Sequence, residues 1–249
     1  MQTFAALGLS IVGSLGGLLT ASAFLLVGDR LRTQLVPSLI SYAVGTLLGA
    51  ALLGLLPESL KTLAPPAAFG TLLAGIFTFF ILEKLVLWRH CHDTEDCLVH
   101  KTTAPLVIIG DAFHTFVDGA LIAAAVVTSL PLGITTALAI AAHEIPQEVG
   151  DFAILLGAGY ARGRAFTLNL LSGLAGIAGA GLMLLFAASA PRLLPWVLAF
   201  ASGNFLYVAM ADLIPSLHRG GPGHAGATDG SGFLQIVLIG AGVATIVLL

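Results

Sequence analysis

Asp111, His114 and Asp118 recur at spacings i, i+3 and i+7, and His143, Glu144, Gln147, Glu148 and Asp151 crowd a second short run. On helices of 3.6 residues per turn, the first three share one face. His143 and Gln147 share a face of the second helix, and Glu144, Glu148 and Asp151 share the neighbouring one. Imidazole, carboxylate and carboxamide together make a mixed N/O donor set suited to Zn²⁺ or to Cd²⁺, Mn²⁺ and Fe²⁺. The same groups also line proton relays, and they can form a polar seam of interhelical hydrogen bonds. A seam would need cationic partners, and the predicted core contains almost no Lys or Arg to balance the acids. A travelling dication would supply that balance, while the relay and the seam remain as alternatives at this point.

The elements that must position these groups are membrane spans. The 249 residues carry 10 basic and 13 acidic side chains, 9% charged against 57% hydrophobic, with a mean hydropathy of +1.02. Soluble domains run near ~25% charged. A span needs roughly 20 apolar residues to cross a ~30 Å core. Apolar runs between charge, Pro and Gly punctuation predict an all-α membrane protein of eight transmembrane helices near 4–27, 36–57, 67–88, 105–128, 132–158, 165–188, 193–216 and 232–249. They form a single transporter-type domain over 1–249, with no room for a separate aqueous one. A net charge of −3 gives no reason to expect nucleic-acid binding, and two cysteines are too few for a disulfide framework. The N-terminal apolar stretch lacks the basic flank of a cleaved signal and is long enough to remain as a span.

Lys and Arg choose the orientation. With both termini extracytoplasmic, Arg30, Arg32, Lys84, Arg89, Lys101, Arg162, Arg164 and Arg219 fall inside, against Lys61 and Arg192 outside. Counted from the predicted membrane entries, His114 then lies ~14 Å deep and His143 ~17 Å deep at 1.5 Å per residue. Both reach the middle of the bilayer, where an Asp alone costs ~2.5–3.5 kcal/mol on insertion scales. A weak internal repeat also appears. Tyr42-Ala-Val-Gly-Thr-Leu-Leu-Gly-Ala-Ala-Leu-Leu-Gly-Leu-Leu-Pro57 matches Phe200-Ala-Ser-Gly-Asn-Phe-Leu-Tyr-Val-Ala-Met-Ala-Asp-Leu-Ile-Pro215 in spans two and seven, which cross in opposite directions. Inverted repeats of this kind build alternating-access carriers with a midplane site, and they leave spans four and five between the halves.

Other signals are subsidiary. Pro146 removes a hydrogen bond inside span five and predicts a bend beside His143. His90, Cys91 and His92, with Cys97 and His100 after them, place soft and hard donors in the longest cytoplasmic loop, where they could capture a released ion. His218 and His224 read as part of a Gly-rich linker. Asp212 and Glu83 read as solvated helix ends, and Gly13, Gly16, Gly17, Gly173 and Gly176 as helix-packing positions.

The runs His114-Thr-Phe-Val-Asp118-Gly119 and His143-Glu-Ile-Pro-Gln-Glu-Val-Gly-Asp-Phe-Ala-Ile-Leu155 resemble the paired signature of the ZIP (ZRT/IRT-like) divalent metal transporters. Trp88-Arg-His-Cys-His-Asp93, Leu168-Asn-Leu-Leu-Ser172 and Gly203 to Pro215 extend the resemblance over nearly the whole chain. It implies eight helices with helices four and five between inverted three-helix repeats (3+2+3), both termini outside, often as a homodimer. It also implies zinc uptake into the cytoplasm, with Zn²⁺ as cargo rather than cofactor, in the cell (inner) membrane if the source is prokaryotic. Carried over by position, His114, Asp118, His143 and Gln147 become the primary ligands. Glu144 and Thr115 would lie beside a second metal, and Asp111, Glu148 and Asp151 serve the pathway.

The chain departs from the family pattern at Thr115, where many relatives have Asn, and at Gln147, where they have His or Glu. The stretch 165–188 contains no carboxylate, which argues against a stable second metal, and Val117 replaces a frequent proline. An intramembrane zinc hydrolase is the rival from another class, since His143-Glu144-Ile145-Pro146-Gln147 resembles His-Glu-x-x-His. It fails on Gln147 and on Pro146, so no enzymatic activity is expected.

Overall fold

A computed structural model describes residues 2–24, 29–88, 99–189, 191–219 and 229–248. Among the described residues every regular element is helical, and eight helical units follow one another. α1 is Gln2–Phe24. α2 occupies 29–60 as Asp29–Gly49, a π-helical stretch Ala50–Leu55 and a last turn Leu56–Leu60. α3 is Pro65–Trp88, α4 is Val99–Thr128, α5 is Leu130–Gly157 and α6 is Arg162–Ser189. After a 3₁₀ turn at Pro191–Leu193, α7 occupies 194–219 as Leu194–Tyr207, a π-helical stretch Val208–Leu213 and Ile214–Arg219. α8 is Asp229–Leu248.

Six of these helices are long and apolar enough to cross a membrane. α5 matches them in length but carries Glu144, Glu148 and Asp151, and the apolar part of α8 is the shorter Gly232–Leu248. Outward-facing side chains are large and apolar, among them Phe77, Ile81, Leu185, Phe233 and Ile236. Such a surface has no favourable contact with water, and the closed helical hydrogen bonding leaves no bare backbone for lipid to meet. The chain is therefore an integral α-helical membrane protein.

Helix ends differ from the sequence expectation where proline or charge was read as a boundary. α2 starts at Asp29 rather than 36 because Pro37 is accommodated inside it, where Ser41 Oγ donates to the Pro37 carbonyl at 2.7 Å. α4 begins at Val99 rather than 105, and α7 continues to Arg219. Polar residues at a membrane surface can stay helical although they fall outside the hydrophobic run. His218, expected in a linker, lies in the last turns of α7, its ring Nδ1 donating to the Ile214 carbonyl at 3.0 Å.

Packing follows a pattern of pairs. α4 lies chiefly against α6, and α1 against α5. α2 lies against α8, and α3 against α7. Backbones touch where glycine permits. A Cβ on Gly45 would sit 3.0 Å from Gly242 Cα in α8, and one on Gly75 would sit 3.3 Å from Gly203 Cα in α7. The two π-helical stretches fall at corresponding places in the Tyr42–Pro57 and Phe200–Pro215 repeats. Two apolar cores result, a large one joining Leu47, Leu55, Ile122, Val126, Ile140 and Phe205 and a smaller one joining Leu18, Phe152, Leu155 and Ala165. Polar residues of α4 and α5 occupy the layer between them.

Candidate metal centre

α4 and α5 cross so that His114, Asp118, His143 and Glu144 each bring one donor atom within 4.8 Å of all the others. His143 Nδ1 lies 3.1 Å from the carbonyl of Ala139, one turn back. A carbonyl can only accept, so Nδ1 holds a proton and Nε2 is the ring atom that faces inward. That Nε2 is 3.1 Å from Nε2 of His114 and 3.1 Å from Oδ2 of Asp118, and His114 Nε2 is 3.4 Å from the same oxygen. In a tetrahedral zinc site with bonds near 2.0–2.1 Å, neighbouring donors lie about 3.3 Å apart. The observed triangle has that size. Phe79 of α3 meets the His114 ring edge-on at 5.9 Å, and Phe205 of α7 meets His143 at 6.2 Å, so apolar walls from two further helices fix both rings.

Glu144 closes the fourth side. It is fully buried where α5 meets α1, and a Cβ on Gly17 would fall 2.8 Å from its own Cβ. Among the described residues neither carboxylate oxygen of Glu144 has a hydrogen-bond partner. The Asp118 oxygens likewise lack a hydrogen bond of acceptable geometry, although Oδ2 touches both rings. Among the described residues no Lys or Arg is paired with these acids; the one ion pair with a lysine is Lys61–Glu58, at the end of α2. A structural seam would show satisfied polar groups, because an unpaired buried charge costs several kcal/mol. The unsatisfied carboxylates form an anionic pocket whose charge a cation or protons would balance.

One turn along lies a different arrangement. Gln147, expected beside His143 in the donor set, has its amide nitrogen 3.0 Å from Oδ1 of Asp111 and donates to it. Ser172 of α6 donates to the other oxygen, Oδ2. Asp111 is thereby clamped between α5 and α6. Thr115 is buried with its hydroxyl unpartnered, and its methyl faces α6, 3.2 Å from where a Cβ on Gly176 would sit. Glu148 and Asp151 are buried further along α5 and stay outside the four-donor cluster. Sequence reasoning quoted Ser172 and Asn169, which is fully buried one turn before it, only within the Leu168–Ser172 run and gave neither a role at the site. Two polar residues at i and i+3 within the apolar run of α6 were the available signal.

His90, Cys91, His92, Cys97 and His224 lie outside the described residues, as do the side chains of Glu83, His100, Pro146 and Asp212. The α5 backbone is helical on both sides of Pro146 and through it.

Two imidazoles and two carboxylates converge in the buried polar layer of this all-helical membrane protein, a donor set suited to a divalent metal ion. Residues 88–249 match the family described as ZIP Zinc transporter. The chain is 35% identical over 212 residues to zinc transporter ZIP13 of Pongo abelii, covering 77% of this chain and 62% of that protein. Against zinc transporter ZIP13 of Homo sapiens it is 32% identical over 248 residues, covering 77% and 67%. Against zinc transporter ZIP4 of Homo sapiens it is 43% identical over 112 residues, covering 45% and 17%. The chain thus spans about two thirds of the length of the ZIP13 proteins and a minor part of ZIP4. It belongs to the ZIP family.

Proposed function

We propose that this chain carries divalent cations across the membrane, zinc foremost, through the layer between its two apolar cores. The observation that carries this reading is the triangle of His114 Nε2, His143 Nε2 and Asp118 Oδ2, with Glu144 completing a donor set within 4.8 Å. His114, Asp118, His143 and Glu144 are the primary ligands. Gln147 joins them only by releasing Asp111, and Thr115 stands beside the cluster. Cd²⁺, Mn²⁺ and Fe²⁺ are the competing cargoes. Carboxylate donors and water exchange stepwise, so the site holds its ion with moderate affinity and lets it leave, unlike a closed structural zinc site. Metal hydrolase chemistry finds no support, because residue 147 supplies an amide engaged with Asp111 rather than a second imidazole.

The proposed architecture is an inverted 3+2+3 arrangement, α1–α3 and α6–α8 flanking α4 and α5, with both termini extracytoplasmic. Exchanging the two halves turns the α2–α8 pair into α7–α3 and the α1–α5 pair into α6–α4, which supports the reading. The corresponding π-helical stretches and the Gly45 and Gly203 crossings support it too. The distribution of Lys and Arg supports the orientation. Inward flux and a homodimeric state rest on the family resemblance.

Purified protein in liposomes tests the function. Saturable zinc uptake above protein-free vesicles is expected, with Cd²⁺ competing, and zinc permeability equal to that of empty vesicles would end the proposal. Gln147→His tests the neighbouring position. An imidazole there is released from Asp111 and shares the His143 face, so zinc binding is expected to tighten about tenfold, or roughly 1.4 kcal/mol. Unchanged affinity in a zinc titration would show that residue 147 stays out of contact with the ion.

A further inference from the structure

Asp111 is bound differently from the acids of the cluster. Both of its oxygens accept a hydrogen bond, Oδ1 from Gln147 Nε2 at 3.0 Å and Oδ2 from the Ser172 hydroxyl, so its two donors come from two different helices. Among the described residues, neither Asp118 nor Glu144 accepts a hydrogen bond of acceptable geometry. Asp111 and Ser172 are both buried, out of reach of water that could replace a lost donor. The arrangement sits one turn from the cluster. Asp111 precedes His114 by three residues on α4, and Gln147 follows His143 by four on α5. Gln147 therefore reaches the ion by letting go of Asp111, and the cost of letting go depends on what Asp111 keeps. With Ser172 in place, the carboxylate retains one donor when the amide leaves. Without it, a buried carboxylate would be left bare, and the last hydrogen bond to a buried charge is worth more than the one before it.

We infer that Ser172 is a positioning residue for the metal site: by sharing Asp111 it makes Gln147 an exchangeable ligand, held on Asp111 in the metal-free protein and turned to the ion when one is bound. This rests on the proposed function and deepens it. Ser172 does not touch the ion; it acts through Asp111, and Asp111 acts through Gln147. A carboxamide suits both of its partners, because its NH₂ donates to an acid and its carbonyl oxygen coordinates a cation. A carboxylate in its place could do only the second. The exchange also gives the ion a ligand that has somewhere else to go, which favours stepwise release over trapping.

Zinc affinity of the purified full-length protein, measured in competition with a chromophoric chelator, tests this through a double-mutant cycle. Ser172→Ala is expected to weaken zinc binding about tenfold, the low end for groups that stand behind a metal ligand. The loss has a ceiling, because an ion denied Gln147 binds to the remaining donors. Gln147→Ala should therefore cost as much or more, and Ser172→Ala/Gln147→Ala no more than Gln147→Ala alone. A Ser172 that only braced the helices would cost as much beside Gln147→Ala as in wild type. That additivity would overturn the inference, as would wild-type affinity in Ser172→Ala. Should the double variant fail to fold, Asp111→Asn replaces it. Neutralising the acceptor loosens its hold on the amide, so Gln147→Ala should cost more affinity beside Asp111→Asn than alone, and an equal or smaller cost would overturn the positioning role. Zinc that binds wild type and is lost with His143→Ala would leave the proposed function standing in any of these failures, whereas no zinc bound by wild type would overturn both.

Discussion

His143→Ala is expected to reduce zinc flux in proteoliposomes about a hundredfold or more while leaving insertion and helix content unchanged. His143 Nε2 is the vertex nearest both other corners, 3.1 Å from His114 and 3.1 Å from Asp118. Groups that merely support metal ligands cost 10–100-fold when removed, and a direct ligand costs more. Asp118→Ala is expected to lower flux equally without a loss of stability. Its carboxylate is fully buried, faces Glu144 across the cluster and lacks a hydrogen bond. Deleting an uncompensated buried charge relieves desolvation and like-charge repulsion, so the metal-free variant should unfold in detergent at the same temperature as wild type or a higher one. A structural seam would behave in reverse, since removing one partner of a satisfied network destabilises. Thermal unfolding with chelator present, read beside flux, separates the two. A large fall in melting temperature for Asp118→Ala would count against the metal centre.

The sequence carried the chemistry of this site more faithfully than its exact contacts. His114, Asp118, His143 and Glu144 announce themselves because ionisable groups in an apolar chain cannot be incidental, and the i, i+4 spacing of His114 and Asp118 gives the face that those two share. Helical periodicity says nothing of rotamers, and for that reason Gln147 was read as a ligand although its amide turns to Asp111. The partner that draws it there also needs Ser172, a residue of α6 whose approach no local pattern encodes. The succession of eight helical units was legible from hydropathy, whereas the start of α2 was not, since residues 29–35 are too polar to join a hydrophobic run and Pro37 resembles a stop. The π-helical stretches were illegible. Their residues are ordinary apolar ones, and a widened turn is chosen by what packs against it. The weak repeat nonetheless marked the two places where that widening occurs.

Gly119→Ala is expected to be the most damaging single methyl outside the metal centre. α4 and α6 meet backbone to backbone here. A Cβ on Gly119 would lie 2.7 Å from Gly176 Cα and inside the contact radius of the Gly176 carbonyl oxygen, while a Cβ on Gly179 would strike the Phe116 carbonyl. Helix propensity argues the other way, favouring alanine over glycine by about 1 kcal/mol in a helix interior. Overpacking costs about 1–3 kcal/mol where side chains can yield. Neither backbone can yield without the helices separating, so the upper end of that range should prevail over propensity. Gly181→Ala supplies the control on α6, because nothing lies within 4 Å of its added methyl. It should be neutral or raise the unfolding temperature. The consequence of Gly119→Ala reaches the site as well, since Asp118 is the preceding residue and Thr115 abuts Gly176 one turn away. Pushing α4 off α6 would carry Asp118 out of its 3.1 Å contact with His143, so zinc affinity should fall together with stability. If Gly119→Ala instead kept wild-type affinity and melting temperature, the close α4–α6 crossing that holds Asp118 in place would be wrong.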